Sequence, residues 1–95
     1  MADRLIYHPA VLQGDLSLIN RDVQRRIYRA IEQRLATQPL YYGEPLRYRL
    51  EGYWKLRVGD YRVLFQVVGQ EVWMLRVHHR KDVYVVPPQR LLWRP

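Results

Sequence analysis

Apolar residues in the N-terminal part of the chain recur with a helical period, interrupted by turn-forming residues. The run Leu5 to Tyr7 ends at His8-Pro9, which predicts a brief strand followed by a turn. Leucines at helical spacing then predict a first short helix from about Pro9 to Ile19. A second helix is predicted over residues 20–36, with Asn20 as its N-cap and Pro39 beyond its end. Its apolar stripe consists of Val23, Ile27, Ala30, Ile31 and Leu35.

From Tyr53 onward the period changes to two, which is the period of β-strands. Residues 53–58 and 61–68 alternate on either side of Gly59-Asp60, a pair that favours a two-residue hairpin turn. A third run, 72–79, follows a tight turn at Gly69-Gln70. Between the helices and this meander, Gln38 to Gly52 is predicted to be a loop with one short strand around Leu46 to Leu50.

These elements predict one α+β domain over residues 1–95. Two N-terminal helices pack on a small, mainly antiparallel β-sheet, and residues 85–95 form a C-terminal tail. A chain of 95 residues could not supply two separate cores.

The predicted hairpin places Arg57 directly opposite Arg62. The face formed by alternate residues is apolar and is predicted to be core; it consists of Trp54, Leu56, Val58, Tyr61, Val63 and Phe65. The other face carries Tyr53, Lys55, Arg57, Arg62 and Gln66. Like charges in cross-strand positions are destabilising, and no acid lies on this face within the two strands, so the pattern indicates a phosphate site. The alternative is that the guanidinium groups splay into solvent or stack on Tyr53.

The densest group of chemically active side chains follows the third strand, over residues 78–84. If the second turn has two residues, Arg62 pairs with Val77 and His79 ends on the basic face. There His79 can titrate near neutral pH, Arg80 can neutralise a phosphate, and Tyr84 can stack on a base or move a proton. The alternative for Tyr84 is a half-buried structural aromatic. Adjacent histidines on a strand point to opposite faces and no third ligand is suitably spaced, so no metal or other cofactor is expected.

Composition narrows the class of partner. The chain has 16 Lys plus Arg against 9 Asp plus Glu, a net charge of +7, and most of this excess lies in its second half. Nearly all the cations are Arg, whose planar fork of donors matches phosphate geometry. The absence of Cys excludes disulfides and Cys-based zinc sites. No signal peptide or membrane span is readable, so we expect a cytoplasmic protein. The polar helix face with Arg25, Arg26, Arg29 and Gln33 has two interpretations, a solvated face or a ligand site.

Two longer strings resemble a known family. RVGDYRVLF (57–65) and HRKDVY (79–84), with the helix end LATQP (35–39), are similar to the RelE/ParE superfamily of type II toxin–antitoxin toxins, RelE-like branch. The likeness extends over nearly the whole chain up to Tyr84. It departs from the family at His78, where the family usually has Gly, and in the tail, which is either an antitoxin contact or a disordered end.

The resemblance implies a metal-independent endoribonuclease that enters the ribosomal A site and cleaves mRNA by attack of the message's own 2′-hydroxyl. In that case Lys55, Arg57 and Arg62 hold the phosphate, and Arg80 assists the leaving oxygen, with His79 nearby. Tyr84 stacks on a base or acts as general base, and a free Tyr needs cationic surroundings for that role because it titrates near about 10. Tyr53, Gln66 and Lys81 are expected to bind substrate.

Two alternatives stay open: a ParE-like toxin that inhibits DNA gyrase without being an enzyme, and an inactive member that only binds its antitoxin. The expected partners are a cognate antitoxin, the ribosome and mRNA, with no membrane and with a toxin–antitoxin hetero-oligomer as the assembled form. An acidic antitoxin segment that orders on binding would find candidate contact surfaces on helix 20–36 and the tail.

Overall fold

A five-stranded sheet forms the centre of the fold, in the spatial order β1-β5-β4-β3-β2. The computed structural model describes residues 3–95. The strands are β1 (Arg4–Tyr7), β2 (Glu44–Pro45), β3 (Trp54–Val58), β4 (Tyr61–Val68) and β5 (Glu71–His79). Strand β1 runs parallel to β5, and the other neighbouring pairs are antiparallel. The predicted α+β class with a mainly antiparallel sheet is confirmed.

The second predicted helix is α-helical over its first ten residues, whereas the first predicted helix contains no α-helical segment of its own. Helix α1 (Arg21–Ala30) begins at Asn20, whose side chain accepts a hydrogen bond from the Asp22 amide at 2.8 Å. A π-helical turn, Ile31–Leu35, continues it. The first predicted helix is instead a π-helical turn, Val11–Asp15, followed by a 3₁₀ turn, Leu16–Leu18. Two short helices complete the fold: α2 (Pro39–Tyr42) and α3 (Pro88–Leu91).

The loop prediction for residues 38–52 was wrong in two respects. The segment begins with the short helix α2, and its short strand is β2, whereas residues 48–50 form a 3₁₀ turn, Tyr48–Leu50. Tyr48 has a φ of 57°, a left-handed conformation that an extended strand does not contain. Gly43, just before β2, has no room for a side chain, because a Cβ there would lie 2.5 Å from the Phe65 ring.

Both faces of the sheet are covered by apolar residues. On one face, strand residues such as Leu56, Phe65 and Met74 pack against the helical segments through Ile27 and Leu35. All five of these side chains are almost completely buried. This is the predicted core, and it includes the apolar face that the hairpin register indicated.

A second, smaller cluster lies on the opposite face and is formed with the C-terminal tail. Its buried members are Leu64, Trp73, Leu75 and Val83, and the tail packs on it through Val86, Leu91 and Trp93. The tail is therefore a docked segment of the domain, and of its two predicted alternatives the disordered end is wrong. The face predicted to be polar from Tyr53, Lys55, Arg57, Arg62 and Gln66 is thus apolar over part of its area.

A buried ion pair fastens the tail to the free edge of β5. Strand β1 ends at Tyr7, so it does not pair with the rest of that edge. Side chains there form the hydrogen bonds that a neighbouring strand would otherwise make. Arg90 donates to both carboxylate oxygens of Asp15, at 2.7 and 3.0 Å, and to the Leu75 carbonyl at 2.9 Å. Asp15 in turn accepts from the Val77 amide at 2.9 Å. Together the pair satisfies backbone groups that an open sheet edge would leave unpaired.

The first hairpin has the predicted register and the second does not. Arg57 pairs with Arg62, and the other predicted β3–β4 pairs are also present. Between β4 and β5 a bulge shifts the register at Leu64/Phe65, so that Arg62 pairs with His78 instead of Val77. Because one slipped residue moves every later side chain to the other face, His79 pairs with Tyr61 and lies on the helix side.

Candidate functional site

A lysine and a tyrosine from distant parts of the chain meet on the exposed part of the second sheet face. Lys55 Nζ, from the middle of β3, donates a hydrogen bond of 2.9 Å to the hydroxyl oxygen of Tyr84. The Tyr84 side chain remains accessible, since the residue is 41% exposed. An ammonium group that donates to a phenol oxygen stabilises negative charge on that oxygen. The pair therefore presents a hydroxyl oxygen and an ammonium donor together on an accessible surface.

The turn after β5 sets the position of Tyr84. The amides of Asp82 and Val83 donate to the His79 carbonyl at 2.9 and 3.1 Å, and the Val83 side chain is buried against the second apolar cluster. Val83 thus anchors the turn, and the next residue is held above β3, where Lys55 reaches it. This arrangement favours a functional role for Tyr84 over that of a half-buried structural aromatic.

One carboxylate approaches the pair from outside the hairpin. Strand β2 places Glu44 opposite Lys55, and their side-chain charges lie 3.8 Å apart. The basic face predicted from β3 and β4 alone lacked any acid, so this neighbour was missed. At that separation the contact is a partly exposed ion pair, and such pairs are worth about 0–1 kcal/mol. It orients the ammonium group without neutralising the site.

Arg57 and Arg62 pair across the hairpin as predicted but make different contacts. Arg62 is 7% exposed, and its Nη1 donates to the carbonyls of Gly59 and Tyr61, both at 2.9 Å. It therefore supports the β3–β4 turn while its charge stays under the basic face. Arg57 is exposed and lines a cleft between the hairpin and α1. The alternative that both guanidinium groups splay into solvent is wrong for Arg62, which is buried, and only Arg57 is exposed.

His78, and not His79, is the histidine on the basic face. Its pairing with Arg62 follows from the bulge in β5, which no local pattern in the sequence reveals. The Nδ1 atom of His78 is buried without a hydrogen-bond partner, and it lies 3.9 Å from an Asp82 carboxylate oxygen. His79 instead makes an edge-on aromatic contact with Tyr61, with the ring centroids 5.9 Å apart.

Arg76 is a second cation on this face that sequence analysis missed. The bulge pairs it with Leu64, and its Nε atom is buried without a partner. Burial lowers the pKa of Arg76 below its usual value against the opposing effect of the Asp15 carboxylate, and the nearby Arg90 charge acts in the same direction as burial. An arginine remains charged at neutral pH despite such a shift, so it adds to the positive potential of the site.

The other predicted site residues surround this centre. Arg80 and Lys81 are exposed in the turn after β5, and the Arg80 amide donates to the Asp60 carbonyl at 2.8 Å. Tyr53 is half-buried under the tail, and its hydroxyl donates to the Leu91 carbonyl at 3.1 Å. Gln66 is half-buried on β4 opposite Trp73. The catalytic part expected of Arg80 and the substrate-binding parts expected of Lys81, Tyr53 and Gln66 stay predictions.

A second basic cluster joins the hairpin to α1. Arg57 shares its cleft with Arg26, Arg29 and Arg34, and no acid lines that cleft. In the part of the chain that the structure describes, none of these four arginines forms a salt bridge, whereas Arg25 on the same helix contacts Asp22 at 3.7 Å. The helix face predicted as either solvated or a ligand site therefore includes an unneutralised arginine cleft.

Neither a metal-binding cluster nor a membrane-spanning helix is found in residues 3–95. No group of three or more His, Asp or Glu side chains in that range is arranged to hold a metal ion. No helix in the same range is long and apolar enough to cross a membrane.

Comparisons with known proteins identify the family. A family model described as the ParE toxin of the type II toxin–antitoxin system parDE matches residues 5–84. The chain belongs to the RelE/ParE superfamily of type II toxins. This confirms the family indicated by RVGDYRVLF and HRKDVY. All the predicted site residues lie within the matched range, whereas the docked tail lies beyond it.

Individual relatives support the same membership. The chain is 42% identical to Toxin RelG of Mycobacterium tuberculosis (strain ATCC 25618 / H37Rv) over 52 aligned residues. The alignment covers 53% of this chain and 60% of that protein. The match thus spans about three fifths of the relative's length. The toxin–antitoxin complex RelBE2 of the same species has a chain with a TM-score of 0.78 and 27% identity, covering 84% of this chain and 100% of that one.

A further solved structure shows the same fold along nearly the whole chain. A double mutant of the E. coli toxin RelE in the free state gives a TM-score of 0.72 at 21% identity, and the alignment covers 97% of this chain and 100% of that one. This likeness confirms the RelE-like fold that the resemblance implied.

Proposed function

We propose that this toxin is a metal-independent endoribonuclease that cleaves mRNA in the ribosomal A site. The observation that carries the proposal is the 2.9 Å hydrogen bond from Lys55 Nζ to the hydroxyl of Tyr84, on an accessible face with several arginines. A positioned proton acceptor beside donors for a phosphate is what cleavage of RNA by its own 2′-hydroxyl requires.

The proposed reaction uses the residues as follows. In the reactive form Tyr84 is a phenolate, stabilised by the hydrogen bond from the Lys55 ammonium group, and its oxygen takes the proton of the 2′-hydroxyl and becomes a neutral phenol. The 2′-oxygen then bonds to phosphorus, and the bond from phosphorus to the 5′-oxygen breaks, which leaves a 2′,3′-cyclic phosphate. Arg57 and Arg80 stabilise the charge on the phosphate oxygens. His78 gives a proton to the departing 5′-oxygen, because imidazole is the side chain that most often performs this step.

Arg62 has a supporting part in this proposal. Its Nη1 atom is occupied by two backbone carbonyls, and the residue is buried, so it contributes positive potential and holds the hairpin turn. His79 lies on the helix side and supports the turn through its carbonyl, which accepts the Asp82 and Val83 amides. Lys81, Tyr53 and Gln66 are proposed to border the bound message.

The proposed partners are a cognate antitoxin and the translating ribosome, in the cytoplasm. Solved relatives of this fold are toxin–antitoxin complexes, which supports an antitoxin for this chain. A net charge of +7 favours an acidic antitoxin segment and also favours docking on a surface rich in phosphates. A hetero-oligomer of toxin and antitoxin is the proposed stored form.

Inhibition of DNA gyrase is the second candidate function. It is favoured by the matching family model, which is described as ParE toxin. Against it stands the Lys55–Tyr84 pair, a proton acceptor that a purely binding toxin does not need.

The two functions are separated by assaying the same purified toxin twice. In a translating extract, primer extension should show cuts inside codons only when the message is being translated. In a parallel assay, the toxin should leave supercoiling by purified gyrase unchanged. Intact messages together with inhibited supercoiling would establish the second candidate and exclude the first.

A further inference from the structure

An open groove extends from Tyr84 to the C-terminal tail. Its volume is about 720 Å³, within the roughly 300–1,000 Å³ of ligand pockets. One wall is the turn with Arg47, Tyr48 and Arg49, and the other is the tail with Pro88 and Leu91. The family model matches residues 5–84, and the tail lies beyond that range. The groove therefore depends on a segment that the family model does not cover.

Tyr48 is held at the rim of this groove in an unfavourable backbone conformation. It is the one residue other than glycine with a positive φ, at 57°, among residues 3–95. Left-handed backbone is costly for a bulky side chain, and the residue recovers nothing through burial because it is 91% exposed. Strain of this kind persists where the surrounding structure imposes it, and it concentrates at ligand-binding positions.

The side chains beside Tyr48 select for a polyanion. Arg47 and Arg49 are both exposed, and no carboxylate within residues 3–95 forms a salt bridge with either. Two free guanidinium groups around an exposed aromatic ring are the combination that binds single-stranded nucleic acid, with phosphates on the cations and a base on the ring.

We propose that this groove binds a nucleotide of the single-stranded message next to the cleaved bond, with its base stacked on Tyr48 and its phosphate held by Arg47 and Arg49. The proposal rests on the endoribonuclease function, because the groove is continuous with Tyr84 and the same strand would occupy both. Tyr48 is then a substrate-binding residue, and the tail forms part of the substrate site.

Binding is measured with a fluorescein-labelled 2′-O-methyl RNA hexamer, which cannot be cleaved, by anisotropy at fixed salt. The test variant is Tyr48→Asn, since Asn tolerates a positive φ and keeps the turn. The control is Tyr41→Asn, at a tyrosine that is 75% exposed and does not line the groove. Loss of one stacked base predicts about 5- to 160-fold weaker binding for Tyr48→Asn. The control should change binding by less than about twofold, because Tyr41 is exposed and does not line the groove.

Two further readouts separate stacking from other causes. The Tm of Tyr48→Asn should equal or exceed that of the wild type because the left-handed strain is relieved. Arg47→Gln should weaken binding and lower the slope of log affinity against log salt by about 0.7, the loss of one phosphate contact on a single strand. Wild-type affinity in Tyr48→Asn, or equal losses in both tyrosine variants, would overturn the proposal.

Cleavage in a translating extract distinguishes failure of the groove from failure of the function. If wild-type toxin cuts no message but binds the hexamer through Tyr48, the endoribonuclease proposal fails and the groove remains a binding site for RNA. If the wild type cuts and Tyr48→Asn cuts and binds equally well, the groove proposal fails and the proposed function stands.

Discussion

Replacing Arg90 tests whether the C-terminal tail is a structural part of the domain. The Arg90 and Asp15 side chains are 13% and 7% exposed, so the ion pair is well buried. Arg90→Leu removes three hydrogen bonds and leaves a carboxylate in the interior with only the Val77 amide as a partner. Breaking a buried ion pair in this way costs about 3–5 kcal/mol.

That cost has an upper limit set by the tail itself. If the tail undocks in the variant, Asp15 regains water, and the loss cannot exceed the free energy of docking the tail. We therefore expect the lower end, about 3 kcal/mol, out of a total stability of about 5–14 kcal/mol for a domain of this length. The Tm should fall by about 12–24 °C, since 1 kcal/mol corresponds to about 4–8 °C in a small domain.

The assay is urea unfolding followed by tryptophan fluorescence, because Trp93 of the tail lies 6.0 Å from Trp73 of the sheet. Arg94→Ala is the matched control, an exposed arginine on the same tail that should cost less than about 1 kcal/mol. Asp15→Asn in the Arg90→Leu background should restore about 1 kcal/mol, because it removes the uncompensated charge. An Arg90→Leu cost no larger than that of the control would refute the account of the tail as a fixed part of the fold.

Three further predictions address other parts of the molecule. Gly43→Ala should cost about 1–3 kcal/mol of unfolding free energy, because the added Cβ would lie 2.5 Å from an atom of the buried Phe65 ring. Gly14→Ala is the control, since its Cβ meets nothing within 4 Å and the change should be neutral or stabilising. A lower urea midpoint for Gly14→Ala than for Gly43→Ala would contradict this. Burial, aided by the nearby Arg90 charge, holds the pKa of His8 in the folded protein below its ordinary 6.5. As the pH falls below about 6.5, the unfolded chain therefore binds a proton at His8 more readily than the folded protein does, and the free energy of unfolding decreases. An NMR titration that put this pKa at or above 6.5 would be inconsistent with the packing. Arg29→Ala should weaken heparin binding and leave the Tm unchanged or raised, because it removes one of four clustered positive charges. The control is Arg25→Ala, at an arginine that has an acidic neighbour on the same helix. Equal effects of the two substitutions on heparin binding would argue against a distinct arginine cleft.

The parts of the fold that were predictable are those fixed by local geometry. A two-residue turn at Gly59-Asp60 determines every pair in the first hairpin, and with it the opposition of Arg57 and Arg62. The second hairpin could not be derived in the same way. Residues 72–75 are uniformly apolar and give no alternation, so the bulge that follows leaves no trace in the pattern.

The site was predictable in its residue types and less so in its contacts. Lys55 and Tyr84 are 29 positions apart, and their meeting depends on a turn that Val83 anchors in the second apolar cluster. Cross-strand pairing likewise does not determine which groups the end of a long side chain contacts. Arg62 is the example, because its guanidinium group is hydrogen-bonded to the hairpin backbone. The choice between His78 and His79 depended on a single residue of register.

The most direct test of the proposed function is the cleavage rate of toxin with Tyr84→Phe on ribosomes programmed with one message. The toxin is in excess over ribosomes, and Tyr41→Phe is the control because it removes the hydroxyl of an exposed tyrosine that is not hydrogen-bonded to Lys55. Loss of a positioned general base predicts a rate about 10²- to 10⁴-fold lower for Tyr84→Phe, with the same cut sites and an unchanged Tm. A Tyr84→Phe toxin that cleaves as fast as the control would contradict the account.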